Sequence, residues 1–279
     1  MLDGIRCTCY YKGTNGRSVS PVPKTEENPY SIVSIEKSFA VLEYIIRSTH
    51  DISAIEIHTQ TGIPKATLHK ILQTLIQLGY IEQNPKTNLY FPTLKMLQVS
   101  YHSVNRHGFF DAYYPYLLMF MRRFACPASL AAYSGYDPVV VYSSVGASDF
   151  VVDQKRHIGC TLPLYASSAG RLLLAELDEA TCTRLLSETP LVPLTGRTLC
   201  TTAEILAFLE DVRRRGYCRI DGEIYYGFSN LSFPLRDTED RLIGSMNFVL
   251  PSDQADAVIS PQAAEEVLRC MDKARLNIV

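Results

Sequence analysis

Apolar residues return at helical spacing once the chain passes position 31. Ile35, Phe39, Leu42, Ile45 and Ile46 form one stripe, with Glu36, Lys37 and Glu43 between them. The pattern predicts an amphipathic helix capped near Ser34. A short second helix is predicted from Ser53. Ser53-Ala54-Ile55-Glu56 is a capping-box order, in which the serine oxygen accepts from the Glu56 amide and the glutamate reaches back. Gly62 ends it, because glycine tolerates positive φ. Pro64 has no N–H and suits the first turn of a third helix. That helix is predicted from about Lys65 to Leu78, stopped by Gly79. Leu68, Ile71, Leu72 and Leu75 make its apolar stripe, and Ala66, His69, Lys70, Gln73, Thr74 and Gln77 its opposite face. Residues 80–83 and 89–91 then read as two strands around a polar turn, 84–88, with Pro92 closing the second.

Leu94, Leu97, Tyr101 and Val104 continue a helical stripe that predicts a linking helix, and Tyr116, Leu117, Phe120 and Phe124 predict another. Beyond position 128 strands alternate with helices. A hairpin is predicted over 130–142 around Asp137-Pro138, helices over 169–177, 179–187 and 203–215, a second hairpin over 231–250 and a last helix from Ser260-Pro261. Thr201-Thr202-Ala203-Glu204 repeats the capping-box order. Arg213, Arg214 and Arg215 stand before Gly216, where cations meet the negative end of a helix. The organisation expected is a tail over 1–29, a winged helix-turn-helix over 30–92, a linker over 93–112 and an effector-binding domain over 113–279. The fold class is α+β in two domains, the second a mainly antiparallel sheet with flanking helices.

Composition refines this picture. With 279 residues, 47% hydrophobic and 20% charged, two globular cores are expected rather than a disordered chain. A net charge of −2 excludes a uniformly basic coat but leaves room for a local basic face. The eight cysteines show no C-x-x-C spacing, Cys7 and Cys9 lie in the polar tail, and no apolar signal segment precedes them. The apolar run at 116–121 is far too short to cross a bilayer. A cytoplasmic protein with reduced thiols, no membrane, no cofactor and no metal is therefore expected.

Three helices followed by a β-ribbon make a winged helix-turn-helix, whose third helix fits the major groove of double-stranded DNA. The candidate DNA-binding residues are Lys65, Ala66, Thr67, His69, Lys70, Gln73 and Thr74 on that helix, and Lys86 at the wing tip. Gln73 has the bidentate geometry for adenine, and Lys70 a donor for guanine O6 and N7. Two lysines on a polar face are also what any solvated helix shows. The capping box, short helix, turn, third helix and wing together carry the reading.

The stretch from Ser38 to Tyr90 resembles the IclR family of bacterial transcriptional regulators. Thr61-Gly62-Ile63-Pro64-Lys65-Ala66-Thr67-Leu68-His69-Lys70-Ile71-Leu72 is similar to the family pattern T-G-hydrophobic-P-x-S-T-x-x-R-hydrophobic-L, followed by Leu75, Leu78-Gly79-Tyr80 and the wing Tyr90. Ala66 stands where serine is common, Lys70 where arginine is common, and Phe91-Pro92 where Leu-Gly is usual. A lysine cannot reproduce the planar fork of arginine, so base preference is expected to differ from relatives. The resemblance continues to position 279. The segment 161–171 is similar to the family's L-P-x-H-A-S-x-A-G-K, with Tyr165 in place of histidine. Arg215-Gly216-Tyr217, Glu223, Leu231-Ser232 and Asp237 match its later signature, while Ile220 and Asn230 depart from it.

The resemblance implies a GAF-like effector module in the second half. Its implied effector-binding residues are Ser167, Ser168, Ala169, Gly170, Ile220, Asn230, Ser232, Asn247 and Val249. A local reason supports the first four: unpaired amides and the dipole at a helix N-terminus favour an anion. The plainer reading is that Ser167 caps its helix. Ile220 and Val249 make the implied pocket apolar, and Asn230 and Asn247 bring amides that donate and accept. A small organic acid or aromatic catabolite is the expected effector. The resemblance also implies a homodimer or dimer of dimers, two recognition helices on two half-sites, and an effector that shifts the balance of conformations through the linker stripe.

Two rivals remain open. An enzyme has little to stand on, since G-x-S-x-G, Walker A and H-E-x-x-H are all missing and no catalytic residue is assigned. Asp221 and Glu223, two apart, read as solvated or structural. A thiol-based redox sensor would use Cys160 and Cys218, near Arg156, His157 and Arg219, provided that a thiol is exposed and its pKa depressed.

Overall fold

The structure, a computed structural model, describes residues 30–105, 109–144 and 158–278. The expected tail over 1–29, with Cys7 and Cys9, lies outside these residues, as do Arg156 and His157. The chain divides into two compact units, Met1–Ser103 and Val104–Val279.

In the first unit, α1 (Val33–Arg47) begins at Ile32 with no side-chain cap. Ser34 lies inside the helix, where its carbonyl accepts from the Ser38 hydroxyl, so the cap expected there is not made. The buried face is Val41, Leu42 and Ile45, while Ile35, Phe39 and Ile46 stay exposed. The stripe read from spacing thus splits: its C-terminal half packs on the core and its N-terminal half faces outward. α2 (Ala54–Thr61) starts at Ser53, whose hydroxyl accepts from the Glu56 amide at 3.2 Å. The returning half of the capping box is replaced, because the Glu56 carboxylate accepts from the Tyr44 hydroxyl at 3.4 Å and faces His50 Nε2 at 3.3 Å. Gly62 closes α2 in the left-handed region at φ 67°. α3 (Lys65–Gln77) follows, with Pro64 as its N-cap residue. Leu68, Ile71, Leu72 and Leu75 are buried against Ile45, Ile52, Ile57, Ile81 and Tyr90. The wing is β1 (Ile81–Gln83) paired antiparallel with β2 (Tyr90–Pro92). Pro92 falls within β2. Ile52 adds a bridge to β2 that spacing gave no hint of: its N–H donates to Tyr90 O at 3.0 Å and its carbonyl accepts from Tyr90 N at 2.8 Å. α4 (Lys95–Asn105) then leads out of the unit.

The second unit is built on one antiparallel sheet of order β4-β3-β7-β6-β5. α5 (Phe109–Phe124) precedes β3 (Ala128–Ser134) and β4 (Asp137–Ser144). The turn between these strands falls at Gly135-Tyr136, where Gly135 has φ 60°, rather than at Asp137-Pro138, which belong to β4. α6 (Ser168–Glu176), α7 (Glu179–Glu188) and α8 (Thr202–Arg215) come next. β5 (Cys218–Asp221), β6 (Phe228–Arg236) and β7 (Leu242–Pro251) follow, and α9 (Ser252–Val258) and α10 (Pro261–Arg275) end the unit. The sequence reading missed β5 and α9, both too short for periodicity to register.

Register gives the sheet two unlike faces. Leu130, Leu231, Phe233, Met246, Phe248 and Leu250 point to one side, into a core with Tyr113, Leu117 and Phe120 of α5 and Val267 and Met271 of α10. Their neighbours in sequence point to the other side, as strand pleating requires. There Cys218, Ser232, Asn247 and Ser129 form one row across β5, β6, β7 and β3, and Ile220, Asn230 and Val249 form the next. α6 packs over this second face.

Candidate functional site

The polar face of α3 is exposed along its length. Lys65, Ala66, His69, Lys70, Gln73 and Thr74 are all exposed, and Thr67, at the margin of the apolar stripe, is half-buried. Thr74 is the weakest of the predicted readers, because its hydroxyl donates to Lys70 O at 2.8 Å. The turn before α3 is fixed by His58, whose Nδ1 lies 2.7 Å from Ile63 O. At the wing, Asn84 Oδ1 accepts from the amides of Lys86 at 2.9 Å and Thr87 at 3.3 Å. That Asx turn, with Asn88 at φ 58°, holds Lys86 exposed at the tip. The first unit therefore presents a helix of groove-fitting diameter, donors along its outer face and a cation on the ribbon beside it.

The second group of predicted residues is brought together but closed off. Ser168 heads α6 over β6, and Ser232 Oγ lies 2.7 Å from both Ser168 Oγ and Asn247 Oδ1. With one proton to give, the Ser232 hydroxyl donates to the Asn247 carbonyl and accepts from Ser168. Asn247 Nδ2 lies 3.4 Å from Ser129 O and Ser245 O. Ser167, Ser168, Ala169, Ile220, Asn230, Ser232, Asn247 and Val249 are all buried. One of the predicted anion donors has other work. Ser167 is the N-cap of α6, its hydroxyl accepting from Gly170 N at 2.9 Å, so that amide is taken. Gly170 is also a packing necessity, since a Cβ there would lie 2.2 Å from Leu164 O. A cleft lined by Pro234, Arg236, Leu268, Met271 and Asp272 contains none of the predicted residues.

The residues that sequence reasoning undervalued hold this face in place. Arg171 is fully buried and donates from both terminal nitrogens to the Glu223 carboxylate, at 2.6 and 2.5 Å. Its Nε donates to Tyr165 O at 2.8 Å, and its guanidinium lies 4.6 Å from the Phe208 ring centroid. Glu223 also accepts from Leu199 N at 3.0 Å, while the Thr198 hydroxyl donates to Glu223 O at 2.6 Å. One ion pair thus joins α6, the segment before α8 and the β5–β6 connection. Such a pair survives burial only when its remaining hydrogen-bonding groups are satisfied, as here. The two residues appeared in the sequence motifs, but their meeting across the fold left no local signal. Tyr133, likewise unflagged, donates to Ala169 O at 2.8 Å and ties β3 to α6.

Five of the six described thiols lack the depressed pKa that a redox site demands. Burial pushes Cys218 and Cys126 up to about 12, and Cys182, Cys200 and Cys270 are also raised by burial. A thiol held so high carries almost no thiolate at neutral pH. Arg219 turns away from Cys218 towards Asp221 and Asp256. Cys160 is half-exposed on a segment whose backbone pairs with β4. Among the described residues no group of three His, Cys, Asp or Glu side chains could hold a metal ion. No described helix is long and apolar enough to cross a membrane.

Comparison with known proteins addresses the same two regions. The model of the IclR helix-turn-helix domain matches residues 34–85, and that of the bacterial transcriptional regulator IclR C-terminal domain matches residues 101–275. The chain belongs to the IclR family. It is 25% identical over 220 residues to the Pca regulon regulatory protein of Pseudomonas putida, covering 79% of this chain and 75% of that one. It is 24% identical over 216 residues to the transcriptional repressor IclR of Escherichia coli K12, covering 77% and 79%. Solved IclR-family folds agree with the architecture. The regulator from Alicyclobacillus acidocaldarius superposes with a TM-score of 0.74 at 21% identity, covering 88% of this chain and 99% of that one. An IclR homologue from Microbacterium hydrocarbonoxydans, complexed with 4-hydroxybenzoate, gives 0.74 at 17% identity, covering 87% and 99%. The protein is thus an IclR-type transcriptional regulator with an N-terminal DNA-binding domain and a C-terminal effector-binding domain.

Proposed function

We propose that this regulator binds DNA as a dimer and is controlled by a small organic acid with an apolar, aromatic-sized body. Ala66, His69, Lys70 and Gln73 would read base edges in the major groove, with Thr67 and Thr74 at the margins and Lys65 and Lys86 on phosphates. The observation that supports a dimer is a pair of exposed apolar stripes in the first unit. Ile32, Ile35 and Phe39 make one on and before α1, and Leu94, Leu97 and Tyr101 make the other just before and along α4, all more than half exposed. A soluble chain seldom leaves such stripes uncovered, and a second copy of itself would bury both and place two recognition helices on two half-sites.

The polar row beneath α6 supports the effector reading. Hydroxyls and amides lie there within an otherwise apolar interior, which is how ligand sites fix orientation. Arg171 is committed to Glu223, so the neutral donors of Ser168, Ser232, Asn230 and Asn247 would hold a carboxylate, with Ile220 and Val249 against the apolar body. The relative named for the Pca regulon and the homologue solved with 4-hydroxybenzoate point to aromatic acids as the first to try. Because the face is closed, ligand entry would require α6 to part from β6, giving the ligand two conformations to choose between.

The test begins with selection from random duplex DNA at two salt concentrations. An enriched pseudo-palindrome whose affinity falls with salt is expected; no enrichment at either salt would overturn the DNA assignment. Titration of that complex with 4-hydroxybenzoate, benzoate and short aliphatic acids follows, for the parent and for Ser232→Ala. A shift in DNA affinity by at least one acid, weakened in Ser232→Ala, is expected. A response confined to neutral or cationic compounds would overturn the effector class.

A further inference from the structure

We propose that Thr93 and Lys95 weld the start of α4 to the C-terminus of the recognition helix α3, so that α4 sets where that helix points in the dimer. This rests on the dimer reading above, because it is the exposed stripe of α4 that a partner would hold. The recognition helix ends at Leu78 and Gly79, where Gly79 at φ 75° turns the chain and the Tyr80 amide donates back to Leu75 O at 3.0 Å. This closure leaves the carbonyls of Leu78 and Gly79 without helical donors. Both are taken by the chain leading into α4. Lys95 Nζ donates to Leu78 O, and Thr93 Oγ1 donates to Gly79 O at 2.6 Å. The Thr93 amide adds a bond to Tyr80 O at 3.0 Å, and the Lys95 amide donates to Thr93 Oγ1 at 3.2 Å.

The lysine is placed as a structural cation. Its ammonium sits at the negative end of the α3 dipole and 4.8 Å from the centroid of the Tyr80 ring, and the residue is half-buried. Leu97 and Tyr101 then follow on the exposed side of α4, with Leu94 exposed just before it. A force applied to that stripe is therefore delivered to the end of α3 over two residues of bonded backbone. Thr93 and Lys95 are positioning residues: they touch no base, and they act through the orientation of α3.

The test repeats the DNA selection with full-length Lys95→Met, Thr93→Val and Lys95→Arg proteins. Lys95→Met and Thr93→Val are expected to keep the parent's half-site sequence and to enrich a broader range of half-site spacings. Lys95→Arg, which retains a donor and a cation for Leu78 O and the Tyr80 ring, is expected to restore the parent's spacing. Unchanged spacing in Lys95→Met would overturn the weld. So would a uniform loss of affinity with a salt slope lower by about one, the mark of a phosphate contact. Amide exchange in the DNA-free protein gives an independent reading. The amides of Thr93, Lys95 and Gln98, bonded to Tyr80 O, Thr93 Oγ1 and Leu94 O, are expected to exchange about tenfold faster in Lys95→Met while Ile57 and Leu72 keep their protection. Unchanged exchange there overturns the weld even where no DNA is enriched. Selection of lone half-sites by the parent would instead count against the dimer and leave the exchange result to decide the weld.

Discussion

The polar face of α3 and the polar face of the β5–β6–β7 sheet carry similar side chains under opposite conditions. On α3 the donors look into solvent, and their partners are expected to arrive from outside. On the sheet the hydroxyls and amides are shut under α6 and bonded to one another, Ser168 to Ser232 and Ser232 to Asn247. An exposed polar face costs nothing to leave unpaired, so it is free to be specific for a partner. A buried one must be satisfied internally until a ligand replaces those bonds. The same chemistry thus yields a reading surface in one unit and a closed, switchable interior in the other.

The sharpest way to break this contrast is at Arg171. Replacing it with methionine strands the Glu223 carboxylate in the interior, and urea denaturation should report a loss of about 3–5 kcal/mol. The double variant Arg171→Met with Glu223→Leu should recover part of that loss, since no unpaired charge remains. A single-variant stability within about 1 kcal/mol of the parent would mean that the buried side is as tolerant as the exposed one.

Gln73→Ala and Lys70→Ala probe the other side. Each should leave folding stability within about 0.5 kcal/mol of the parent, as surface changes do. Each should weaken binding to the selected duplex by about 1–3 kcal/mol and relax preference at one base position. Equal weakening on all sequences would reassign the side chain to phosphate.

The smallest effect is expected at an exposed group that is nonetheless partnered. Asp178 caps α7, and its carboxyl is held below the usual range by the Thr181 amide and then by the Thr181 hydroxyl. A depressed carboxyl adds stability above its unfolded pKa and loses it as pH falls through the folded value. Asp178→Ala should therefore flatten the acid side of the stability profile and leave the neutral side with only the lost cap. A parallel shift at all pH values would show that ionisation plays no part.

The elements that the sequence determined are those made by neighbours. The serine and threonine caps at Ser53, Thr201 and Ser260 all form, Gly62 and Gly216 both take the left-handed turn, and the outer face of α3 follows from spacing alone. Helical contacts run from one residue to the next turn, so their information is local. The tertiary structure decided the rest. Strand pleating gives β6 and β7 an apolar face and a polar one, and the packing of α6 buries the polar one. Register alone sets Asn247 opposite Ser129, 118 positions away, and the fold alone brings Arg171 to Glu223 across 52. Strand pairing and burial are bought with non-local contacts, and a sequence read along its length carries no record of which distant segments will meet.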